Sequence, residues 1–256
     1  MCAPSRPIPS TSTHPHIADA LIVCPYLSSN GLRKLSCSFE AYVATNPENY
    51  RVTIAVDGGA QWFYEQGIVP DYAVGDFDSI ATDVYSWLME DGENSGLEIM
   101  QVPSEKDFSD LDLAIHLAEN LGVESIDILG ALGGRIDHQL CVLGALRTSS
   151  IPFLRLIGTE QALCLLRPNQ SLQLLPCQKP LTFSVIGVED SIVSITGARW
   201  NLDQANIGAL SSLGLSNKLD PSTEKTEIIV HQGNAFVSVS NDKPTDGLRF
   251  AHIQTH

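Results

Sequence analysis

The sequence predicts a chain in two parts: an N-terminal α/β domain with a largely parallel, Rossmann-like sheet, then a C-terminal all-β sandwich. Apolar runs of strand length alternate with helical stretches up to about residue 158. Beyond that point short strands follow one another between Gly, Pro, Asn and Asp turns. With 256 residues, 43% of them apolar, the chain can bury one large core or two modest ones.

The opening "MCAPSRPIPSTSTHPH" is rich in Pro, Ser and Thr and has no apolar centre. Residues 1 to 18 are therefore expected to be a disordered tail, neither a secretory signal nor, with Arg6 as its lone cation, a transit peptide. The α/β domain is expected over 19 to 158. Its strands are "ALIVCPY" (20 to 26), "RVTIAV" (51 to 56), "DYAVG" (71 to 75), "LEIMQV" (97 to 102), "SIDILG" (125 to 130) and "IPFLRLIG" (151 to 158). Helices fall between them. Residues 60 to 67 end at Gly67, and "TDVYSWLMEDG" starts near a Thr82 or Asp83 cap. "SDLDLAIHLAENLG" sets Leu111, Ile115, Ala118 and Leu121 on one face and stops at Gly122, and "DHQLCVLGALRTS" follows. The all-β domain, expected over 159 to 256, opens after the boundary at "GTEQ". It contains "ALCLLR", "SLQLLP", "LTFSVIGV", "SIVSITG", "TEIIVH" and "AFVSVS", while "DQANIGALSSLG" fits no single element.

Composition narrows the function. A net charge of −15, with only 15 Lys and Arg, argues against a nucleic-acid partner. No apolar stretch approaches the ~18 residues that a membrane span needs. Cys2, Cys24, Cys37, Cys141, Cys164 and Cys177 form no CxxC pair, which fits reduced, partly buried thiols in a cytoplasmic protein.

Ligands of open α/β sheets bind beyond the carboxyl ends of the strands. Here the strands are followed in turn by "DGG" (57 to 59), "GDFDS" (75 to 79), "PSEKDFSD" (103 to 110) and "GALGGRIDH" (130 to 138). One rim would collect Asp57, Asp76, Asp78, Glu105, Asp107, Asp110 and Asp137, with Lys106 and Arg135 as its cations. So many carboxylates repel one another unless a divalent ion joins them, and oxygen donors without His or Cys suit Mg²⁺. Singly, each motif has a plainer reading. DxDS bends chains, DGG turns them, Asp110 complements a helix dipole, and GALGGR can be mere turn. Placing them on one edge favours a polyphosphate site, with glycine backbone N–H groups free to meet phosphate. His116 and His231 read as structural.

"VDGGAQWFYEQGIVPDYAVGDFDSI", "PSEKDFSDLDLAI" and "GALGGRIDHQL", in that order, resemble the thiamine pyrophosphokinase family in its bacterial-type form. "ITGARWNL" and "LGLSNKL" are similar to that family's C-terminal β-sandwich. The resemblance implies transfer of the terminal diphosphoryl group of ATP to the hydroxyethyl group of thiamine, giving thiamine diphosphate and AMP. It implies Mg²⁺ on Asp76, Asp78 and Asp110. Lys106 and Arg135 would offset phosphate charge, and Asp107 and Asp137 would organise that shell or the acceptor. Asp57, Gly58, Gly59, Gly133 and Gly134 would lie against the nucleotide or its phosphates. It also implies a homodimer with thiamine at the interface, contacted by Trp200, Ser216 and Asn217. Trp200 reads otherwise as a core residue of the sandwich. Alternatives from other classes are a pterin pyrophosphokinase, a haloacid-dehalogenase-like phosphatase with Asp76 as nucleophile, and a nucleotide sensor without turnover.

Overall fold

The computed structural model describes residues 18–25, 49–92, 94–158, 161–174, 182–220, 222–240 and 250–255. The expected N-terminal tail, apart from Ala18, and Cys2, Cys37 and Cys177 lie outside them. The chain divides into two compact units that part between Ile151 and Pro152.

The first unit is built on strands β1 (Ala20–Val23), β2 (Val52–Val56), β3 (Tyr72–Gly75), β4 (Glu98–Gln101) and β5 (Ser125–Leu129), in the spatial order β5-β1-β2-β3-β4. All pairings among them are parallel, with Ile22 beside both Ile54 and Ile128. Every residue of β1 and β2 is buried. Their near-continuous apolar runs suit the middle of a sheet covered on both faces. β4, with only Ile99 partly buried, is the edge.

Helices α1 (Ala60–Gln66), α2 (Thr82–Trp87), α3 (Asp110–Asn120) and α4 (Ile136–Thr148) connect the strands. α1 ends on Gly67 at φ 66, as a left-handed C-terminal glycine should. α2 is shorter than its sequence suggests: a π turn takes over at Leu88–Gly92, and its N-cap is Ala81, without a side-chain bond. α3 begins with a capping box in which Ser109 and Asp112 each accept from the other's backbone N–H. Leu111, Ala114, Ile115 and Ala118 form its buried face, and Gly122 follows at φ 68.

One connection decides where the chemistry goes. β4 and β5 lie at opposite ends of this five-strand order, so α3 must cross between them, and it packs against β2 and β3. Its N-terminus therefore reaches the middle of the sheet rather than the edge that precedes it in sequence.

The second unit contains two antiparallel arrays of strands. One has the order β6 (Phe153–Ile157), β7 (Gln161–Leu166), β14 (Ala235–Ser240), β9 (Thr182–Gly187), β12 (Asn217–Lys218). The other has the order β11 (Leu202–Ile207), β10 (Ser191–Thr196), β13 (Thr226–Gln232), β8 (Gln170–Leu174), β15 (Phe250–Thr255). Side chains from both arrays, among them Leu172, Phe183, Val185, Val193, Ile228 and Val237, form one buried core. Each such side chain stabilises the fold by roughly 1.5–3 kcal/mol.

Two expectations shift here. β6, read as a sixth strand of the α/β pattern, pairs antiparallel with β7. Gly158 N–H donates to Gln161 O, a return too short for the crossover that parallel pairing needs. The ambiguous "DQANIGALSSLG" supplies most of a strand, β11, before its glycines. Cys24 and Cys164 are buried thiols as expected, whereas Cys141 is exposed on α4. Among the described residues no helix is long and apolar enough to cross a membrane.

Candidate functional site

The carboxyl ends of β1, β2 and β3 are pressed together by glycines. A Cβ on Gly59 would lie 1.9 Å from the Val23 carbonyl oxygen, so only glycine lets the turn after β2 rest on the end of β1. A Cβ on Gly75 would lie 3.0 Å from Asp57 Cα, which brings the end of β3 against Asp57. "DGG" is thus a close-approach motif as well as a turn. Asp57 at φ 45 and Phe77 at φ 58 both hold left-handed backbone uncommon for such residues. Phe77 is 4% exposed, and this anchor lies between a half-buried Asp76 and an exposed Asp78. Strain of this kind, ~1–3 kcal/mol per residue, persists where the surroundings enforce it.

Asp57, Asp76, Lys106 and Asp110 sense one another. Burial pushes the Asp57 carboxyl above the usual range, and the charges of Asp76 and Asp110 push the same way against hydrogen bonds from the Gly58 N–H and Ser79. Ser79 Oγ donates to Asp57 Oδ2 at 3.3 Å. Asp57 Oδ1 is shielded from water and has no hydrogen-bond partner. Asp76 is held below the usual range, first by the Asp78 backbone N–H, which donates to Oδ1 at 3.2 Å, then by the Ser104 hydroxyl and the Lys106 charge. Lys106 Nζ lies 3.0 Å from Asp110 Oδ1 and donates to Pro103 O at 3.1 Å. Asp110 Oδ1 is itself buried, and the ammonium meets it as an ion pair off hydrogen-bond alignment. The Cys24 thiol, at the end of β1, is pushed up to about 12 by burial and then by Asp110, so it stays neutral.

The other expected residues stand apart from this group. Asp78, Glu105 and Asp107 are exposed, with Asp78 reaching Asp76 first through its backbone N–H and to a lesser degree through its side chain. Arg135 and Asp137 form an exposed bidentate pair at the start of α4, with Nε–Oδ1 at 3.1 Å, which lowers Asp137 to about 2. Gly130, Gly133 and Gly134 all have positive φ in the loop before that helix. Among the described residues no three His, Cys, Asp or Glu side chains already stand as a metal-holding group. The chemistry of the donors nevertheless fits a hard cation. Asp57 and Asp110 each present a buried oxygen without a hydrogen-bond donor, and the charges raise one another's cost.

In the second unit Trp200 is 52% exposed, which excludes the core role considered for it. The Arg199 guanidinium lies over its ring, 4.9 Å from the centroid. Asn217 is buried and clamps Trp200: its Oδ1 accepts from Trp200 N at 3.2 Å, and its Nδ2 donates to Trp200 O at 2.7 Å. Ser216 is exposed at φ 57, with its N–H on Ser184 Oγ. His231 pairs with Ser194, 2.8 Å away, and His116 stacks edge-on with Phe108, both structural contacts.

Sequence reasoning assigned no role to Cys24, Ser79 or Ser104. The rule that found the carboxylates, position just past a strand, applies equally to Cys24 after β1 and Ser104 after β4.

Comparison with known proteins follows from this geometry. Residues 44–155 match the family model of the thiamin pyrophosphokinase catalytic domain, a span holding Asp57, Asp76, Asp78, Lys106, Asp110, Arg135 and Asp137. Thiamine pyrophosphokinase of Bacillus subtilis is 28% identical over 178 residues, 67% of this chain and 80% of that protein. Thiamine pyrophosphokinase 3 of Oryza sativa is 25% identical over 185 residues, 68% of this chain and 63% of that longer protein. The crystal structure of the Bacillus subtilis enzyme superposes with a TM-score of 0.69 at 26% identity, covering 87% of this chain and 99% of that one. Thiamin pyrophosphokinase from Candida albicans shares the fold, with a TM-score of 0.66 at 18% identity over 94% and 97% of the two chains. The motifs, the catalytic-domain match and the fold agree: residues 44–155 match a thiamin pyrophosphokinase catalytic domain, and the chain is similar to thiamine pyrophosphokinases in sequence and fold.

Proposed function

We propose that the chain transfers the diphosphoryl group of ATP to the hydroxyl of thiamine's hydroxyethyl group, releasing AMP. The observation that carries this reading is the convergence of Asp57, Asp76, Lys106 and Asp110 beyond adjacent parallel strands, within the matched catalytic span. Asp76 and Asp110, with Asp78 at the mouth and Asp57 beneath, would hold Mg²⁺. When bound, the ion supplies charge neutralisation and alignment for the β and γ phosphates.

The protein's own share is positioning and charge, since phosphoryl transfer leaves little covalent work to side chains. Lys106, and Arg135 from the loop before α4, offset charge on the migrating group and on AMP as the bond to the α-phosphate breaks and the bond to the thiamine oxygen forms. Asp107 and Asp137 order that surrounding shell, with Asp137 holding the Arg135 guanidinium in place. Gly58, Gly59, Gly133 and Gly134 leave the backbone open to phosphate.

In this reading the first unit is a Rossmann-like catalytic domain. The second is a β-sandwich that binds thiamine and pairs with a second copy in a cytoplasmic homodimer. Support for the pairing is the exposed apolar set Trp200, Leu210, Leu213 and Leu215. Ser216 and the free face of Trp200 would meet the cationic thiamine, while Asn217 holds Trp200 in position.

The test is incubation of the purified protein with ATP, Mg²⁺ and thiamine. Equal amounts of AMP and thiamine diphosphate are expected. Release of ADP or inorganic phosphate, a phospho-aspartate at Asp76, preference for a hydroxymethylpterin, or binding without turnover would each reject the assignment.

A further inference from the structure

Lys106 occupies an unusual place for a phosphate-binding lysine. Its ammonium lies on Asp110 Oδ1 at 3.0 Å, is tethered to Pro103 O, and lends its charge to Asp76. One ammonium thus serves two of the carboxylates assigned to the cation. The side chains of the pair are only 16% and 25% exposed, so water screens them little. The Asp110 oxygen it covers is the buried one, held by charge rather than by an aligned hydrogen bond. A divalent ion bound to that oxygen at ~2.1 Å would stand within a few ångström of the ammonium, where like charges repel strongly. The two occupants therefore exclude each other.

Lysine is suited to move. Its ammonium is a compact charge on a flexible four-carbon stem. The loop carrying it is open, with Ser104, Glu105, Asp107 and Phe108 all exposed.

We propose that Lys106 is an exchangeable counter-charge: its ammonium neutralises Asp110 and Asp76 until a divalent cation arriving with a polyphosphate displaces it, and it then turns onto that polyphosphate. This rests on the assigned phosphoryl-transfer site. It makes binding of metal and nucleotide interdependent, because the ion alone must evict a cation that has nowhere better to go. The nucleotide supplies the destination.

The test reads binding rather than turnover. Mn²⁺ affinity is measured by electron paramagnetic resonance without nucleotide, for the native protein, Lys106→Met and Lys106→Arg. Exchange predicts that Lys106→Met binds Mn²⁺ at least ~10-fold more tightly than the native protein, whereas Lys106→Arg does not. It also predicts that most of the gain is lost when Asp110→Asn is combined with Lys106→Met, because Asp110 carries the closer contact. Lys106→Gln repeats the measurement if the Met variant does not fold. Equal or weaker Mn²⁺ binding by Lys106→Met, as expected if Asp110 served both cations at once, overturns the proposal. A gain of undiminished size in the Asp110→Asn background overturns it too. Thiamine diphosphate formation by the native protein is followed in parallel. Turnover without the binding gain removes the exchange alone, and the binding gain without turnover removes the assigned reaction alone.

Discussion

Gly59→Ala separates local propensity from tertiary packing. Gly59 sits at φ −60 and ψ −21, ordinary helical backbone immediately before α1. Judged locally, alanine there should stabilise by ~0.4–1 kcal/mol, because it narrows the unfolded ensemble. The packing says the reverse. The added methyl would lie 1.9 Å from Val23 O and 2.7 Å from Val23 C, both backbone atoms of a fully buried strand. No rotamer relieves that overlap, so the turn after β2 must lift away from β1 by more than an ångström. Overpacking typically costs 1–3 kcal/mol, and a backbone-on-backbone clash belongs at or above the top of that range, so a net loss of about 3 kcal/mol is expected. Calorimetry should show the melting of the first unit lowered by about 12 °C, taking ~4 °C per kcal/mol for a unit of this size. Because the lifted turn carries Asp57, Mn²⁺ binding should weaken as well. A melting temperature that is unchanged or raised would refute the packing argument.

Further outcomes can be checked alongside. Asp76→Asn or Asp110→Asn should each reduce turnover at least ~100-fold in a folded protein, as loss of a phosphate-clamping charge does, and near-normal rates would contradict the assignment. Asp57 is held above its unfolded value, so its effect on stability is most favourable at low pH and is lost as pH rises through the folded value. Asp57→Asn should therefore raise stability at neutral pH in metal-free urea titrations, shrink that gain under acid conditions, and weaken Mn²⁺ binding. Asn217→Ala should destabilise the second unit by about 1–3 kcal/mol, since it strips both backbone groups of Trp200 of their partner; denaturant unfolding reads this directly.

The alternating pattern through β5 and the carboxylates past each strand were legible because both depend on short stretches of sequence. Strand order was not legible. Nothing near "SDLDLAIHLAENLG" says that β4 and β5 are separated by β1, β2 and β3, yet that arrangement brings Asp110 to the centre beside Asp57. The antiparallel turn of β6 also rested on a non-local choice, with an apolar run that suits either direction equally. Asp78 illustrates a finer limit. Two aspartates two residues apart look equivalent in sequence, but the buried ring of Phe77 holds the loop so that one is half-buried and the other faces solvent. Trp200 could be read as core or contact, and only its exposure in the bend between β10 and β11 decided it.

The long passage of α3 across the sheet makes metal affinity a report on assembly. A shortened chain ending before Ser125 would keep Asp57, Asp76, Lys106 and Asp110 but would lose β5, the far anchor towards which the helix runs. Its acids would then float without a common focus. Tight capture of the ion together with a nucleotide should emerge only late in synthesis or refolding, after both flanks of the parallel strands have closed, which would make a bound paramagnetic ion a convenient stopwatch for completion of the first unit.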